Sequence, residues 1–104
     1  MPQFDESADG QSAELAAGDS FVISLHENPT TGYRWNLNAG GDKVCTLTSD
    51  DFEPGRLPGG EGVHRWHFRA AQAGEVKIEF ALRRGWTPAA KSAKSFTLQV
   101  KVNP

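Results

Sequence analysis

The chain has 104 residues, of which 38% are hydrophobic and 23% are charged, and its formal net charge is −2 at pH 7. This length suits one domain, and the slightly acidic balance argues against a nucleic-acid partner, which usually needs a basic surface. No apolar run is long enough to span a membrane, and the first residues lack the basic and apolar regions of a signal peptide. We expect a periplasmic or secreted protein if a signal peptide has been removed, and a cytoplasmic one otherwise.

In chain order, the sequence predicts a polar lead-in followed by short strands. Residues 1–11 are polar and acidic without periodicity, which predicts a flexible tail or the lead-in to a first strand. Apolar and polar residues then alternate, most strictly near the carboxyl terminus, as in strands with one face on a core. The predicted strands cover residues 12–16, 21–25, 33–37, 44–49, 64–68, 76–82 and 96–102.

No segment shows a convincing helical period. Short strands with regular turn signals over about 100 residues predict an all-β, immunoglobulin-like antiparallel sandwich of about seven strands. This gives a single domain over residues 12–104, with residues 44–57 supplying the fourth strand and Phe52 as a core contact. Cys45 is the only cysteine, so no internal disulfide forms, and we interpret it as a small buried core residue.

The most informative loop is the segment 28–33. Pro29 fixes its backbone angle φ, whereas Gly32 has unusual backbone freedom, so the loop is stiff and has a defined shape. A stiff loop on a β scaffold suits recognition, because it loses little conformational entropy on binding. The alternative interpretation is an ordinary turn between strands.

Two further connections are unusual. Residues 58–62 are rich in glycine, and residues 84–94 carry Arg84 and Trp86, residue types that often dominate interfaces. Taken singly, the first could be a plain connector, and Trp86 could be a core residue that closes the sandwich. Because connections alternate between the two ends of such a sandwich, all three loops are predicted at one end. That conjunction favours a binding surface.

These three loops resemble the signatures of the chagasin-like inhibitors of papain-family cysteine peptidases, which have an immunoglobulin-like fold. The first signature, Asn-Pro-Thr-Thr-Gly and an aromatic residue, is matched completely. The second is Gly-x-Gly-Gly, in which Glu61 replaces a glycine, and the third is Arg-Pro-Trp, in which Gly85 replaces proline. The peptidase-binding residues that this resemblance implies are Asn28, Pro29, Thr30, Thr31, Gly32, Tyr33, Gly59, Gly60, Glu61, Gly62, Arg84, Gly85 and Trp86.

The resemblance also implies a function. It implies a reversible, non-covalent inhibitor that has no cofactor, is not an enzyme and is a monomer when free. Thr31 would lie over the catalytic cysteine–histidine centre of the peptidase, Trp86 would anchor one side, and the glycine loop would contact the other rim. A stiff wedge resists cleavage, because its peptide bonds do not easily reach attack geometry.

Two alternatives stay open at this point. The same scaffold could serve as a non-inhibitory adhesion or assembly module, since fold does not imply function. An enzyme is disfavoured by the absence of a nucleophile elbow, a phosphate loop or paired carboxylates at a recognisable spacing. His64 and His67 should point to opposite faces of their strand and so make a poor metal pair, and Asp50-Asp51 is expected to be solvated.

Overall fold

The computed structural model describes residues 2–28, 33–39, 43–55, 62–84 and 94–104. Within these ranges no helix has the length and apolar character needed to cross a membrane. A single turn of 3₁₀ helix covers Glu6–Ala8. The strands are β1 (Gln3–Phe4), β2 (Gln11–Ala16), β3 (Ser20–Glu27), β4 (Tyr33–Ala39), β5 (Cys45–Glu53), β6 (Gly62–Ala70), β7 (Gly74–Arg84) and β8 (Lys94–Asn103).

The strands form two four-stranded sheets, which confirms the predicted all-β sandwich. The first sheet has the order β1-β3-β6-β5, and the second has the order β2-β8-β7-β4. The pairs β3–β6, β5–β6, β4–β7 and β7–β8 are antiparallel, whereas β1 pairs parallel to β3 and β2 parallel to β8. These two edge strands follow each other in the chain and cross from the first sheet to the second through the 3₁₀ turn.

The core lies between the sheets, where the period-two pattern of the sequence places it. Phe21, Ile23 and Leu25 on β3 are fully buried, as their spacing predicts. Phe21 stacks on Phe68 of β6 with 5.3 Å between ring centroids. Each fully buried side chain of this size contributes about 1.5–3 kcal/mol, so the core can stabilise the fold without a disulfide. Cys45 is also fully buried, which confirms its interpretation as a core residue.

Strand β5 extends further than the alternation of the sequence indicates. It continues through Asp50 and Asp51, residues that are depleted in strands, with a register shift between Leu47 and Ser49. The two carboxylates pair with histidines on β6. Oδ2 of Asp50 lies 2.7 Å from Nε2 of His64, and Oδ1 of Asp51 lies 2.9 Å from Nε2 of His67. The carboxylates stay 53% and 54% exposed, so both acids are solvated as predicted and also pair with histidines.

Residues 1–11 contain structure that the sequence pattern does not reveal. Strand β1 pairs with β3, and Phe4 packs edge-on against Phe21 at 6.0 Å between ring centroids. Asp5 caps the following turn by accepting a hydrogen bond of 2.9 Å from the backbone N–H of Ser7. A strand of two residues is too short to show a period. Flexibility of this segment in solution stays a prediction.

Candidate functional site

The strand ends that flank the three predicted loops meet at one end of the sandwich. In the first sheet, Glu27 at the end of β3 pairs with Gly62 at the start of β6. In the second sheet, Tyr33 at the start of β4 pairs with Arg84 at the end of β7, and β8 begins at Lys94 beside the same end of β7. We call this the loop end of the sandwich. The predicted clustering therefore holds for the residues that flank the loops.

The predicted site residues divide into two groups. Four lie in the described part of the chain: Asn28 follows β3, Tyr33 begins β4, Gly62 begins β6 and Arg84 ends β7. The other predicted site residues lie outside the described residues, and their roles stay predictions. They are Pro29, Thr30, Thr31, Gly32, Gly59, Gly60, Glu61, Gly85 and Trp86.

Trp35 joins the two sheets at the loop end. Its indole Nε1–H donates to the carbonyl oxygen of His26 at 2.9 Å, and its backbone N–H donates to Oε2 of Glu27 at 2.7 Å. Trp35 and Glu27 are 7% and 6% exposed, so the bond between them is shielded from water, and the bond to His26 is partly buried. The bonds hold the end of β3 against the start of β4, which are the two points between which the segment 28–33 runs.

His64 extends this contact towards β5. Its Nδ1 lies 3.3 Å from Oε1 of Glu27, and its Nε2 lies 2.7 Å from Oδ2 of Asp50. The imidazole ring stacks on Trp66 with 4.0 Å between centroids and an angle of 4°. Both ring nitrogens thus have carboxylate partners, of which Glu27 is buried and Asp50 is 53% exposed. Sequence reasoning missed this network, although Glu27 continues the inward face of Phe21, Ile23 and Leu25 at period two.

The two histidines of β6 point to opposite faces of the first sheet, as predicted. His64 faces inward, whereas His67 pairs with Asp51, whose side chain is 54% exposed. Among the described residues, no group of three or more histidine, cysteine, aspartate or glutamate side chains is arranged to hold a metal ion.

Gly62 is constrained by packing within the domain. It is buried, and a Cβ atom built on it would collide with the backbone carbonyl oxygen of Glu53 and lie 2.5 Å from a ring carbon of Phe52. The backbone oxygen is part of β5, which pairs with β6, so it cannot rotate away. The last glycine of the second signature is therefore required for close packing of two strands.

Replacing Gly62 with alanine should lower the free energy of unfolding by about 1–3 kcal/mol or more, because overpacking forces strands apart. Urea unfolding of the wild type and of Gly62→Ala measures this difference. The control is a binding assay of the folded variant with a peptidase of the class that the resemblance implies. A variant with unchanged stability but weakened binding would contradict the packing role and assign Gly62 to direct contact with a partner.

The amino-terminal segment reaches the same end of the molecule. The carboxylate of Glu6 accepts a hydrogen bond from the backbone N–H of His26 and lies 2.7 Å from His26 Nδ1. Burial acts to raise the pKa of Glu6, but the hydrogen bonds from His26 outweigh it, so the pKa lies below its ordinary value of 4.5. Ionised Glu6 therefore ties the lead-in segment to β3 immediately before Asn28.

The variant Glu6→Gln should be less stable than the wild type at neutral pH. The lowered pKa stabilises the folded protein fully above about pH 4.5, and this contribution disappears as pH falls through the folded-state pKa. Because Glu6 is 44% exposed, the difference should be below about 1 kcal/mol. Melting temperatures of both proteins between neutral and acid pH test this. A difference that grows on acidification would contradict it.

Comparison with known proteins identifies the family. Residues 14–100 match the family described as the chagasin family of I42 peptidase inhibitors. The chain belongs to the chagasin family of peptidase inhibitors. Amoebiasin-1 of Entamoeba histolytica is 37% identical over 90 residues, which cover 85% of this chain and 86% of that protein. Chagasin of Trypanosoma cruzi is 28% identical over 100 residues, which cover 90% of this chain and 91% of that protein.

The fold is that of a solved relative. The crystal structure of EhICP2, a cysteine protease inhibitor from Entamoeba histolytica, superposes with a TM-score of 0.88 at 23% identity, over 98% of this chain and 95% of that one. The predicted family and the predicted sandwich are thereby confirmed. Because the chagasin family consists of peptidase inhibitors, this member is an inhibitor and not an enzyme.

Proposed function

We propose that this member of the chagasin family is a reversible, non-covalent inhibitor of papain-family cysteine peptidases, and that it binds them with the three loops at the loop end. The observation that carries this proposal is the gathering of the strand ends that flank all three signatures, with Trp35 joining the end of β3 to the start of β4. A packed β scaffold that carries loops at one end loses little conformational entropy on binding. EhICP2, which shares the fold, is itself a cysteine protease inhibitor.

Inhibition in this proposal is steric. The segment 28–33 enters the substrate cleft, and Thr31 lies over the catalytic cysteine–histidine centre of the peptidase. The stiff loop holds its peptide bonds away from the geometry that nucleophilic attack requires. The inhibitor supplies no nucleophile and forms no covalent bond, so it is released intact.

The other two loops flank the cleft. Trp86 serves as an apolar anchor on one side with Arg84 adding polar contacts, and residues 59–62 contact the opposite rim partly through their backbone. Glu61 and Gly85 are the departures from the family signatures, so they are the positions at which this chain should differ in target preference. An interface of about 800 Å² per partner would be compatible with nanomolar affinity.

Titration into papain and into a cathepsin L-like peptidase tests the proposal, with cleavage of a fluorogenic peptide as the readout. We expect tight and reversible inhibition that does not consume the inhibitor. A folded sample that fails to inhibit at micromolar concentration would overturn the proposal and favour the adhesion or assembly module. Gel filtration and cell fractionation would test the predicted monomer and compartment, which is external if a signal peptide has been removed and cytoplasmic otherwise.

A further inference from the structure

We propose that Glu27 is a positioning residue for inhibition: its buried carboxylate sets the separation of β3 and β4, and so holds the first signature loop in its binding shape. This inference rests on the proposed function, and it adds a role for a residue outside the three signatures. Glu27 lies immediately before Asn28, yet its side chain points into the sandwich and is 6% exposed. It therefore acts through β4 and not by contact with the peptidase.

The first step of the argument is the edge position of β4. In the described second sheet, β4 pairs with β7 on one side only. The backbone N–H of Trp35 is bonded to Oε2 of Glu27, so a carboxylate from the first sheet takes the place of a further strand. If this acceptor were removed, a buried backbone donor would be left without a partner, which is strongly unfavourable.

The second step is that side-chain packing between the sheets is incomplete beside this point. A cavity of about 450 Å³ opens between them at the loop end. Apolar side chains of both sheets, among them Leu25, Leu82 and Phe96, line it together with Asn28 and Lys94. The hydrogen bonds that Trp35 donates therefore add a directional constraint where packing is incomplete.

The third step connects Glu27 to the neighbouring strands. Its second oxygen faces His64, which in turn reaches Asp50 on β5. The carboxylate is thus held on both sides: Trp35 fixes Oε2 and His64 orients Oε1. A side chain fixed in this way can act as a spacer between the sheets, because neither oxygen is free to rotate to another partner.

Loss of the spacer should lower the population of the binding-competent loop. When only a fraction of molecules is competent, apparent affinity falls by that fraction, and the loss appears mainly as slower association. Once the loop is seated in a peptidase, the partner holds it, so dissociation should change little. This separation of rate constants distinguishes a positioning role from a lost contact, which would speed dissociation.

A matched pair of variants tests the proposal. Glu27→Gln keeps an oxygen acceptor for Trp35, and its amide can donate to a neutral His64. Glu27→Met keeps a similar length and apolar packing but has no such acceptor. We expect association of Glu27→Met with papain to slow about tenfold, dissociation to stay within about twofold, and Glu27→Gln to stay within about threefold of wild type. If Glu27→Met does not fold, Glu27→Asp, which is one methylene shorter, replaces it in the same comparison.

A core variant provides the control for stability. Val100→Ala, on β8 away from the loop end, removes buried volume and lowers the melting temperature without touching the network. At a temperature where all variants are folded, Val100→Ala should associate at the wild-type rate. The proposal is overturned if Glu27→Met associates at the wild-type rate, or if Val100→Ala slows association as much.

Hydrogen exchange of the free protein separates this proposal from the proposed function. The Trp35 amide should exchange slowly in the wild type and in Glu27→Gln, and much faster in Glu27→Met. The backbone amides within residues 28–33 should show the same order of exchange rates among the three proteins. If the wild type does not inhibit but exchange follows this order, the proposed function fails, while Glu27 is still shown to hold the loop in the free protein. Equal exchange in all variants overturns the positioning role whether or not the wild type inhibits.

Discussion

Replacing Thr31 with tryptophan should abolish inhibition of papain while leaving the melting temperature of the free protein almost unchanged. In the proposed complex Thr31 lies at the deepest point of the wedge, where an indole ring has no room beside the catalytic centre. A clash at a closely packed interface cannot be relieved without withdrawing the whole loop. We expect the inhibition constant to rise by at least about a thousandfold, which corresponds to roughly 4 kcal/mol.

The folding of this variant should be protected by the strands on both sides of the loop. Glu27 and Trp35 keep β3 against β4, and the substitution at Thr31 changes neither of them. Thr31→Ser is the matched control, since it keeps the hydroxyl and removes one methyl group, and it should inhibit within about tenfold of wild type. Undiminished inhibition by Thr31→Trp would contradict the wedge mechanism and indicate that the other two loops carry the inhibition.

Replacing Trp86 with alanine should weaken inhibition far more than it lowers the melting temperature. A tryptophan that anchors an interface typically accounts for about 2–4 kcal/mol of binding when truncated. This corresponds to a rise in the inhibition constant of roughly 30- to 900-fold. Titrations against papain, combined with thermal unfolding of the same samples, measure the two effects side by side.

Trp66 offers a direct comparison for this experiment. It is 4% exposed and packs against Phe80 and His64 inside the sandwich, so Trp66→Ala should cost about 3–5 kcal/mol of unfolding free energy. Trp86→Ala should leave the protein much closer to wild-type stability. If both variants lose a similar amount of unfolding free energy, Trp86 is a core residue and the prediction that it binds the peptidase is wrong.

The network beneath the loops explains why the interior of this sandwich becomes polar at one end. A buried carboxylate and a partly buried imidazole are costly to desolvate, and they persist only when hydrogen bonds satisfy them. Here Trp35, His64 and Asp50 supply those partners around Glu27. Hydrophobic side chains could fill the same space, but they would not satisfy the edge of β4 or fix its distance from β3.

Strand alternation and short loop motifs are the local features from which the sequence alone could be interpreted. The alternation at residues 76–82 and 96–102 predicted β7 and β8, because a strand with one buried face shows a period of two over consecutive residues. The segment 28–33 predicted a stiff loop because proline and glycine lie within a few residues of each other, and its resemblance to a known signature indicated the family. A short motif of this kind is readable without knowledge of its neighbours.

Only the tertiary structure decided which residues support the loops. Glu27 meets Trp35 from 8 positions away and His64 from 37 positions away, and the partners come together only when two sheets stack. Nor does a glycine such as Gly62 reveal in sequence that β5 lies against it. The sequence by itself predicted seven of the strands from their local alternation, and the resemblance of its loop motifs indicated the family and the candidate binding residues. Stacking of the sheets decided the hydrogen-bond network at the loop end, because a hydrogen bond between distant residues depends on where the whole chain places its donor and acceptor.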